Sequence, residues 1–494
     1  MPREGAALNR QTCHGGYILA LGSSLHWFTK SNLKNVALLF IKYLGLAVTH
    51  LFSTSDKLGT YDFLSSIIQI KRYRRNAKAE LELELALSTP TSEEWSDYWP
   101  VRTNFASLFV HEATHFTDCT TTTWGLEFNY RKFLLMNAVS SQKEYIQPLS
   151  VFMLNAAELH SHEELIKQGK ISLTSATSMT HTVEINSSLG PIINIHYNLN
   201  GKPFQSVPLS LLSVLEANAY SNEVLYKILA CEKLNDCEQK FEYRNKIESD
   251  FYELLSDNAQ SEYTLLINLV KIHSPYLTLK ELLVYVSVLC RFTLDLNDMG
   301  CSVVSNYIER TIGQKAAGST ISHDLRRAGS RAVIFFKTAL GIHQWINEAE
   351  FEDGARIKKL LANNPLIAIS QFWEAKADSF KIVKGFADSF MFDHVLDKII
   401  SLSGAIGVEI FSESSRNNRA QLNNKPLAMI GFRDLKLFDI LLEDDTVISV
   451  PNRIDLDVEE YFELNCESIC ATESIWDKAP VRKFFVELDG PMRF

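Results

Sequence analysis

The chain has 494 residues, of which 46% are hydrophobic and 22% charged, and this composition excludes a disordered, collagen-like or repetitive protein. Its length predicts two or three domains, because one domain usually contains about 150 residues. The net charge of −10 argues against general nucleic-acid binding, which needs a basic surface, so no nucleic-acid partner is expected.

Cysteine usage and hydropathy favour a soluble protein of the cytoplasm. Eight cysteines occur at irregular spacings with no Cys-x-x-Cys pair, which is typical of thiols in a reducing compartment. The N-terminus does not resemble a secretory signal. The apolar stretch Val36–Phe52 contains Lys42 and is about 17 residues long, short for a membrane span, so it predicts a buried helix and no membrane partner.

The first 170 residues are predicted to be helical. Apolar positions at helical spacing indicate helices over most of 17–86, and a polar loop follows from Ser88 to Pro100. Pro100 marks a helix entry, and the pattern is helical again from Asn104. We expect that helix to end near Asp118, because four successive threonines follow at 120–123 and β-branched residues disfavour a helix. Further helices are expected at about 125–136 and 148–168.

A short β region interrupts the helices. Residues 182–185 and 192–197 have alternating or continuous β-type patterns, and Asn200-Gly201 is typical of a tight turn. We therefore predict a small antiparallel hairpin or meander within 171–209. Helices resume at Leu209 and continue to about Leu361, and residues 405–494 are mixed, with a β-like run at 447–450. The predicted fold class is mainly α, of the α+β type.

One helix carries a motif with metal chemistry, His111-Glu112-Ala113-Thr114-His115. Positions i and i+4 lie one turn apart on the same helix face, so the two imidazoles are about 6 Å apart and suit two corners of a zinc tetrahedron. Glu112 lies beside them, where it can take a proton from a metal-bound water and return it to a leaving amine. The residues around the motif are uncharged, as expected for a helix buried beneath a cleft.

Through Val110-His111-Glu112-Ala113-Thr114-His115-Phe116 the sequence resembles the zincin metallopeptidases. The resemblance covers one helix and implies zinc ligands at His111 and His115 with Glu112 as general base. It also implies a zincin-like helical core. The extended metzincin pattern, with Gly three residues beyond the second His and a third His further on, is not present, since position 118 is Asp.

The third protein ligand is predicted on a later helix, as in the gluzincin branch. The candidate is Glu216, in Leu215-Glu216-Ala217-Asn218-Ala219-Tyr220-Ser221-Asn222-Glu223, where Ala217 and Ala219 allow close helix packing. Glu216, Tyr220 and Glu223 share one helix face, so Tyr220 can donate a hydrogen bond to a developing oxyanion. The string Glu-Ala-Asn-x-aromatic looks like one in ImmA/IrrE-type metallopeptidases, although there it follows the His motif after a much shorter gap.

Two other acidic residues compete with Glu216 for that position. Asp118 lies seven residues after His111 on the same face and is expected to accept a hydrogen bond from an imidazole N–H or to cap the helix, with direct ligation as an alternative. Glu127 follows a turn at Gly125 and can fold back toward the metal. His181 and His196, which flank the β region, are candidates for lining a nearby cleft.

The sequence thus predicts a zinc-dependent metallopeptidase that acts on a peptide or protein substrate. The alternative is a binding or regulatory protein whose zinc site is structural or inactive. The predicted domains are a helical region at 1–100, a metal-binding catalytic domain at 101–320 with the β insertion at 171–209, and a mostly helical domain with a mixed tail at 321–494. The sequence predicts no particular oligomeric state.

Overall fold

The computed structural model describes residues 58–86, 99–141, 166–186, 190–312, 315–381, 392–402 and 408–455, apart from positions 64, 168, 328 and 378. All of these belong to one unit of the chain, residues 50–494. The helices predicted within 17–57 and at 148–165 lie outside the described residues. The predicted domain boundaries stay predictions.

The described part is mainly helical with two small sheets, which confirms the predicted fold class. The strands are β1 (Gly59–Tyr61), β2 (Ile68–Ile70), β3 (Ser178–Asn186), β4 (Gly190–Leu199), β5 (Lys202–Pro208), β6 (Ile440–Leu442) and β7 (Val447–Ile448). The helices are α1 (Lys78–Ala86), α2 (Trp99–Thr121), α3 (Thr123–Ser140), α4 (Leu211–Glu232), α5 (Cys237–Ser256), α6 (Ser261–His273), α7 (Leu279–Asp295), α8 (Asp298–Thr311), α9 (Lys315–Leu325), α10 (Ala332–Glu348), α11 (Phe351–Asn363), α12 (Pro365–Lys376) and α13 (Arg416–Leu422).

The first sheet joins two distant parts of the chain in the order β1-β2-β6-β7. Strands β1 and β2 are antiparallel, whereas β2 pairs in parallel with β6, with Ile68 opposite Ile440. The prediction of helix over most of 17–86 is therefore wrong at β1 and β2. Each strand has only three residues, too few to show a period of two, and the partner strand that stabilises β2 lies far away in sequence.

The second sheet confirms the predicted β region. Strands β3, β4 and β5 form an antiparallel meander, with Val183 opposite Ile193 and Ile195 opposite Val207. The turn between β4 and β5 is formed by Asn200 and Gly201, whose φ angles are 53° and 74°. Two successive positive φ angles are what the tight primed hairpin turn requires, and Asn-Gly is the favoured pair for it.

Helix α2 continues three residues beyond its predicted end at Asp118. The threonine hydroxyls hydrogen-bond back along the helix: those of Thr120, Thr121 and Thr122 donate to the carbonyl oxygens four residues earlier, at 2.9, 2.6 and 2.6 Å. Such back-bonding satisfies the hydroxyls in a buried segment, where every residue from Phe105 to Thr121 is buried. Tertiary burial here outweighs the weak helix propensity of threonine.

Helix α4 lies at the centre of the described fold and packs against α2, α6 and α7. It begins at a side-chain cap, because the Ser210 hydroxyl accepts a hydrogen bond from the Ser213 backbone N–H at 3.1 Å. The helices that follow confirm the prediction of a mainly helical segment from Leu209 to Leu361.

Among the described residues, no helix has the length and apolar character needed to cross a membrane.

Candidate metal centre

The motif residues lie on the face of α2 that contacts α4. His111, Glu112 and His115 on α2 and Glu216 on α4 each have at most 1% of their surface exposed. Ala217 and Ala219, both fully buried, leave the space that brings the helices close. The structure therefore brings Glu216 to the two histidines even though 100 residues separate it from His115 in the sequence.

The donor atoms of this group have the spacing of a metal-ligand set. Nε2 of His111 lies 3.6 Å from Glu216 Oε2, and Nε2 of His115 lies 3.5 Å from Glu216 Oε1. Two ligands bound tetrahedrally to zinc at its usual bond lengths are about 3.4 Å apart. One ligand atom from each of the three residues lies within 4.8 Å of the others, so one ion can reach all three.

The imidazole nitrogens that face this centre lack hydrogen bonds. Within the described part of the chain, His111 Nε2 and both ring nitrogens of His115 have no hydrogen-bond partner, although they are buried. A buried polar atom without a partner costs about 1–3 kcal/mol, and three such atoms lie on these two neighbouring histidines. A divalent cation bound by His111, His115 and Glu216 would satisfy the two Nε2 atoms.

The Glu112 carboxylate lies against strand β1. A Cβ atom added at Gly59 would lie 2.5 Å from Glu112 Oε1 and 3.2 Å from Glu112 Cδ. The carboxylate therefore occupies the space that any larger residue at Gly59 would need. Tyr61, the last residue of β1, stacks near His115 with ring centroids 6.3 Å apart, and Phe63 lies 6.0 Å from the same ring.

The other nitrogen of His111 contacts a second acidic residue. Nδ1 of His111 lies 3.2 Å from Glu223 Oε2, and the Lys227 ammonium donates to Glu223 Oε1 at 2.7 Å. Glu223 and Lys227 are on α4, one turn and two turns beyond Tyr220. A carboxylate that accepts the N–H of a histidine fixes the tautomer that leaves the opposite nitrogen available to a metal.

Burial and the acidic neighbours give the two histidines opposite protonation tendencies. For His111, burial lowers the pKa, but the carboxylates of Glu216 and Glu223 outweigh burial and hold the pKa well above its usual value. For His115, burial and the His111 charge hold the pKa well below its usual value. Since a ligating imidazole must be deprotonated at the donor nitrogen, metal binding here would release a proton from His111.

The centre is rich in carboxylates. Glu112, Glu216 and Glu223 all act on His111, and the Lys227 ammonium pairs with Glu223. A divalent cation would interact favourably with such a group, because buried carboxylates need compensating charge.

Tyr220 lies next to the centre as the shared helix face predicts. Its ring packs edge-on against His111, with centroids 4.8 Å apart, and it is only partly buried. The aromatic ring thus lies on the imidazole. Its predicted role as a hydrogen-bond donor to an oxyanion stays a prediction.

The two competing acidic residues have other contacts. Asp118 accepts hydrogen bonds from Asn218 Nδ2 at 2.8 and 3.0 Å and from Arg291 at 3.0 Å, so its expected bond to an imidazole is wrong. Burial raises the pKa of Asp118 to about 6, with Arg291 and Asn218 opposing the shift. Glu127 lies 3.6 Å from Arg331 Nη2. Neither belongs to the group of described residues that can hold a metal ion.

The histidines of the β region also lie apart from this group. His181 packs against Phe336, with ring centroids 4.9 Å apart, and His196 contacts the hydroxyls of Thr182 and Ser206 at 2.8 and 2.7 Å. The strand beside the motif is instead β1, which the sequence analysis did not predict.

Two residues at the centre were not assigned a role from the sequence. Glu223 had a signal, since it lies seven residues after Glu216 on the same helix face. Gly59 had none, because its importance depends on how closely β1 approaches α2.

No protein-family model matches the chain, and no curated protein or solved structure matches it significantly.

Proposed function

We propose that this protein is a zinc-dependent metallopeptidase whose metal is held by His111, His115 and Glu216. The observation that carries the proposal is the placement of Glu216 at 3.5–3.6 Å from the Nε2 atoms of both histidines, with Glu112 alongside. Two imidazoles and one carboxylate are a donor set typical of catalytic zinc, which keeps a fourth position for water or substrate.

The residues would divide the chemistry as follows. Zinc held by His111, His115 and Glu216 would supply Lewis acidity to a water and to the substrate carbonyl. Glu112 would accept a proton from the attacking water and return it to the departing amine. Glu223 would orient His111, and Tyr220 would donate a hydrogen bond to the carbonyl oxygen of a peptide or protein substrate.

A cytoplasmic location is part of this proposal. Cys119, Cys231, Cys237 and Cys290 are not in disulfide bonds, as is usual in a reducing compartment. The net charge of −10 fits a peptide substrate better than a nucleic acid.

A second function is favoured by one observation. The three ligand candidates are at most 1% exposed, and a closed metal site is characteristic of structural zinc. The alternative is therefore a zinc-containing binding or regulatory protein in which the metal stabilises the contact between α2 and α4 without turnover.

The test combines metal analysis with peptidase assays. Purified wild type is expected to contain about one zinc per chain, and His115→Ala is expected to lose it, whereas the control His196→Ala keeps it. A library of quenched fluorescent peptides should be cleaved by wild type and not by Glu112→Gln, which retains the metal. Wild type without stoichiometric metal contradicts both functions, and metal without cleavage of any peptide supports the structural alternative.

A further inference from the structure

Residues 216, 220, 223 and 227 form one stripe along α4, at intervals of three or four residues. The first contacts both histidines, the second packs on His111, and the third hydrogen-bonds to its Nδ1. Lys227 ends the stripe, and its side chain is 23% exposed. A continuous chain of contacts thus runs from solvent through Lys227 and Glu223 to His111.

Glu223 and Lys227 contribute differently to this series of contacts. Glu223 receives the His111 N–H and is mostly buried, with 10% of its side chain exposed. A buried carboxylate needs a compensating charge, and Lys227 supplies it at 2.7 Å. With both Glu223 oxygens engaged, one by each neighbour, the carboxylate has a fixed orientation.

We propose that Lys227 is a positioning residue for the metal centre, which acts through Glu223 to hold His111 in the ring orientation and tautomer that bind the ion. The inference rests on the proposed metal site but does not require that the site is catalytic. It assigns to a partly exposed lysine an effect on metal affinity, two contacts away from the ion.

His115 provides an internal contrast. Among the described residues its Nδ1 has no hydrogen-bond partner, so its orientation depends on packing by Tyr61 and Phe63. A hydrogen bond to Nδ1 thus supports His111, whereas aromatic packing supports His115. Loss of the polar support is therefore expected to affect one ligand and to leave the other in place.

The experiment measures zinc affinity by competition with a chelator for wild type, Glu223→Gln, Lys227→Met and Lys227→Arg. Glu223→Gln is expected to weaken zinc binding by about 10–100-fold, the usual effect of losing the acceptor behind a histidine ligand. Lys227→Met should weaken it by about 3–10-fold, and Lys227→Arg should restore affinity to within about twofold of wild type.

The chain offers a matched control on the same helix. Glu232 of α4 pairs with Lys280 at 2.7 Å, the same distance as in the Glu223–Lys227 pair. Glu232→Gln and Lys280→Met should leave zinc affinity within about twofold of wild type, since exposed ion pairs contribute little and this one does not contact a proposed ligand.

A second measurement separates positioning from stability. The absorption bands of the cobalt-substituted protein depend on ligand geometry, so Glu223→Gln and Lys227→Met should shift them, whereas the control variants should not. Equal zinc affinity and unchanged spectra in Lys227→Met and wild type would overturn the role of Lys227 while leaving the metal site intact. A wild type that binds no metal would overturn the site itself, and the inference with it.

Discussion

Substitution of Gly59 by alanine tests the position of Glu112 without replacing any residue of the motif or any proposed metal ligand. The new Cβ would lie 2.5 Å from Glu112 Oε1, and ordinary contact begins at 3.4 Å. The carboxylate must therefore move by about 0.9 Å, because the Glu112 side chain yields more easily than the paired backbone of β1.

A displacement of this size has a predictable cost in the proposed reaction. Misplacement of a reacting group by about 1 Å typically costs about 100-fold in rate, equivalent to about 2.7 kcal/mol. Stability should change little, since alanine restricts the unfolded chain more than glycine does, and the clash is relieved by a flexible side chain. Zinc content should be unchanged because His111, His115 and Glu216 do not move.

The assay compares kcat and zinc content of wild type, Gly59→Ala, Glu112→Gln and the double variant. If the glycine acts only through Glu112, the double variant is as slow as Glu112→Gln alone. Gly341→Ala is the control for an unrelated clash, because its Cβ would overlap the Phe372 ring in the helical core. That variant should be less stable but equally active when folded. Full activity of Gly59→Ala would refute the placement of Glu112 as the base.

Three further predictions concern the ligand, the polar interface and a buried cation. Glu216→Gln should lower zinc affinity by more than about 100-fold, whereas Glu127→Gln should not change it; equal losses in a chelator titration would contradict the ligand assignment. Asp118→Asn should lower the free energy of unfolding in urea by about 3 kcal/mol, because it leaves the buried Arg291 charge without its partner; a loss below about 1 kcal/mol would contradict this. Burial lowers the pKa of Lys132 from 10.5 to about 8, with Cys119 and Asp62 opposing. The unfolded state then binds more protons at this group between these values, so Lys132 contributes a rise of up to about 3 kcal/mol in the free energy of unfolding from pH 8 to 10.5; the difference between wild type and Lys132→Met should show it, and parallel pH profiles would contradict it.

The helical residues of the centre could be predicted because their spacing is local. A period of 3.6 places His111 beside His115 and Glu216 in line with Tyr220 and Glu223, whatever the rest of the fold. The small side chains of Ala217 and Ala219 also indicate that the second helix, α4, packs closely against its neighbour. The β meander was equally accessible, since its alternating strands are long and its turn is Asn-Gly.

The remaining features depend on contacts between residues that are distant in the sequence. Strand β1 pairs with β2, and β2 pairs with β6 about 370 positions later in the sequence. A strand of three residues is too short for a sequence pattern that predicts this pairing. Asp118 looked like a partner for a histidine because it lies on the correct helix face, but Arg291 and Asn218 approach it from α7 and α4. Sequence spacing fixes which face a residue occupies and does not fix what packs against that face.

The interface between α2 and α4 shows why the metal assignment does not rest on the motif alone. One turn below His115, the same interface contains Asp118, Asn218 and Arg291, and there the charges cancel and the Asp118 oxygens are hydrogen-bonded. At the level of the motif, three carboxylates act on His111, and among the described residues His111 Nε2 and both ring nitrogens of His115 have no hydrogen-bond partner. In the first arrangement both oxygens of the buried carboxylate have donors, as is usual for a buried polar layer. A divalent cation bound by His111, His115 and Glu216, as we propose, would satisfy the two Nε2 atoms of the second arrangement. This difference between two levels of one helix pair supports the proposed site.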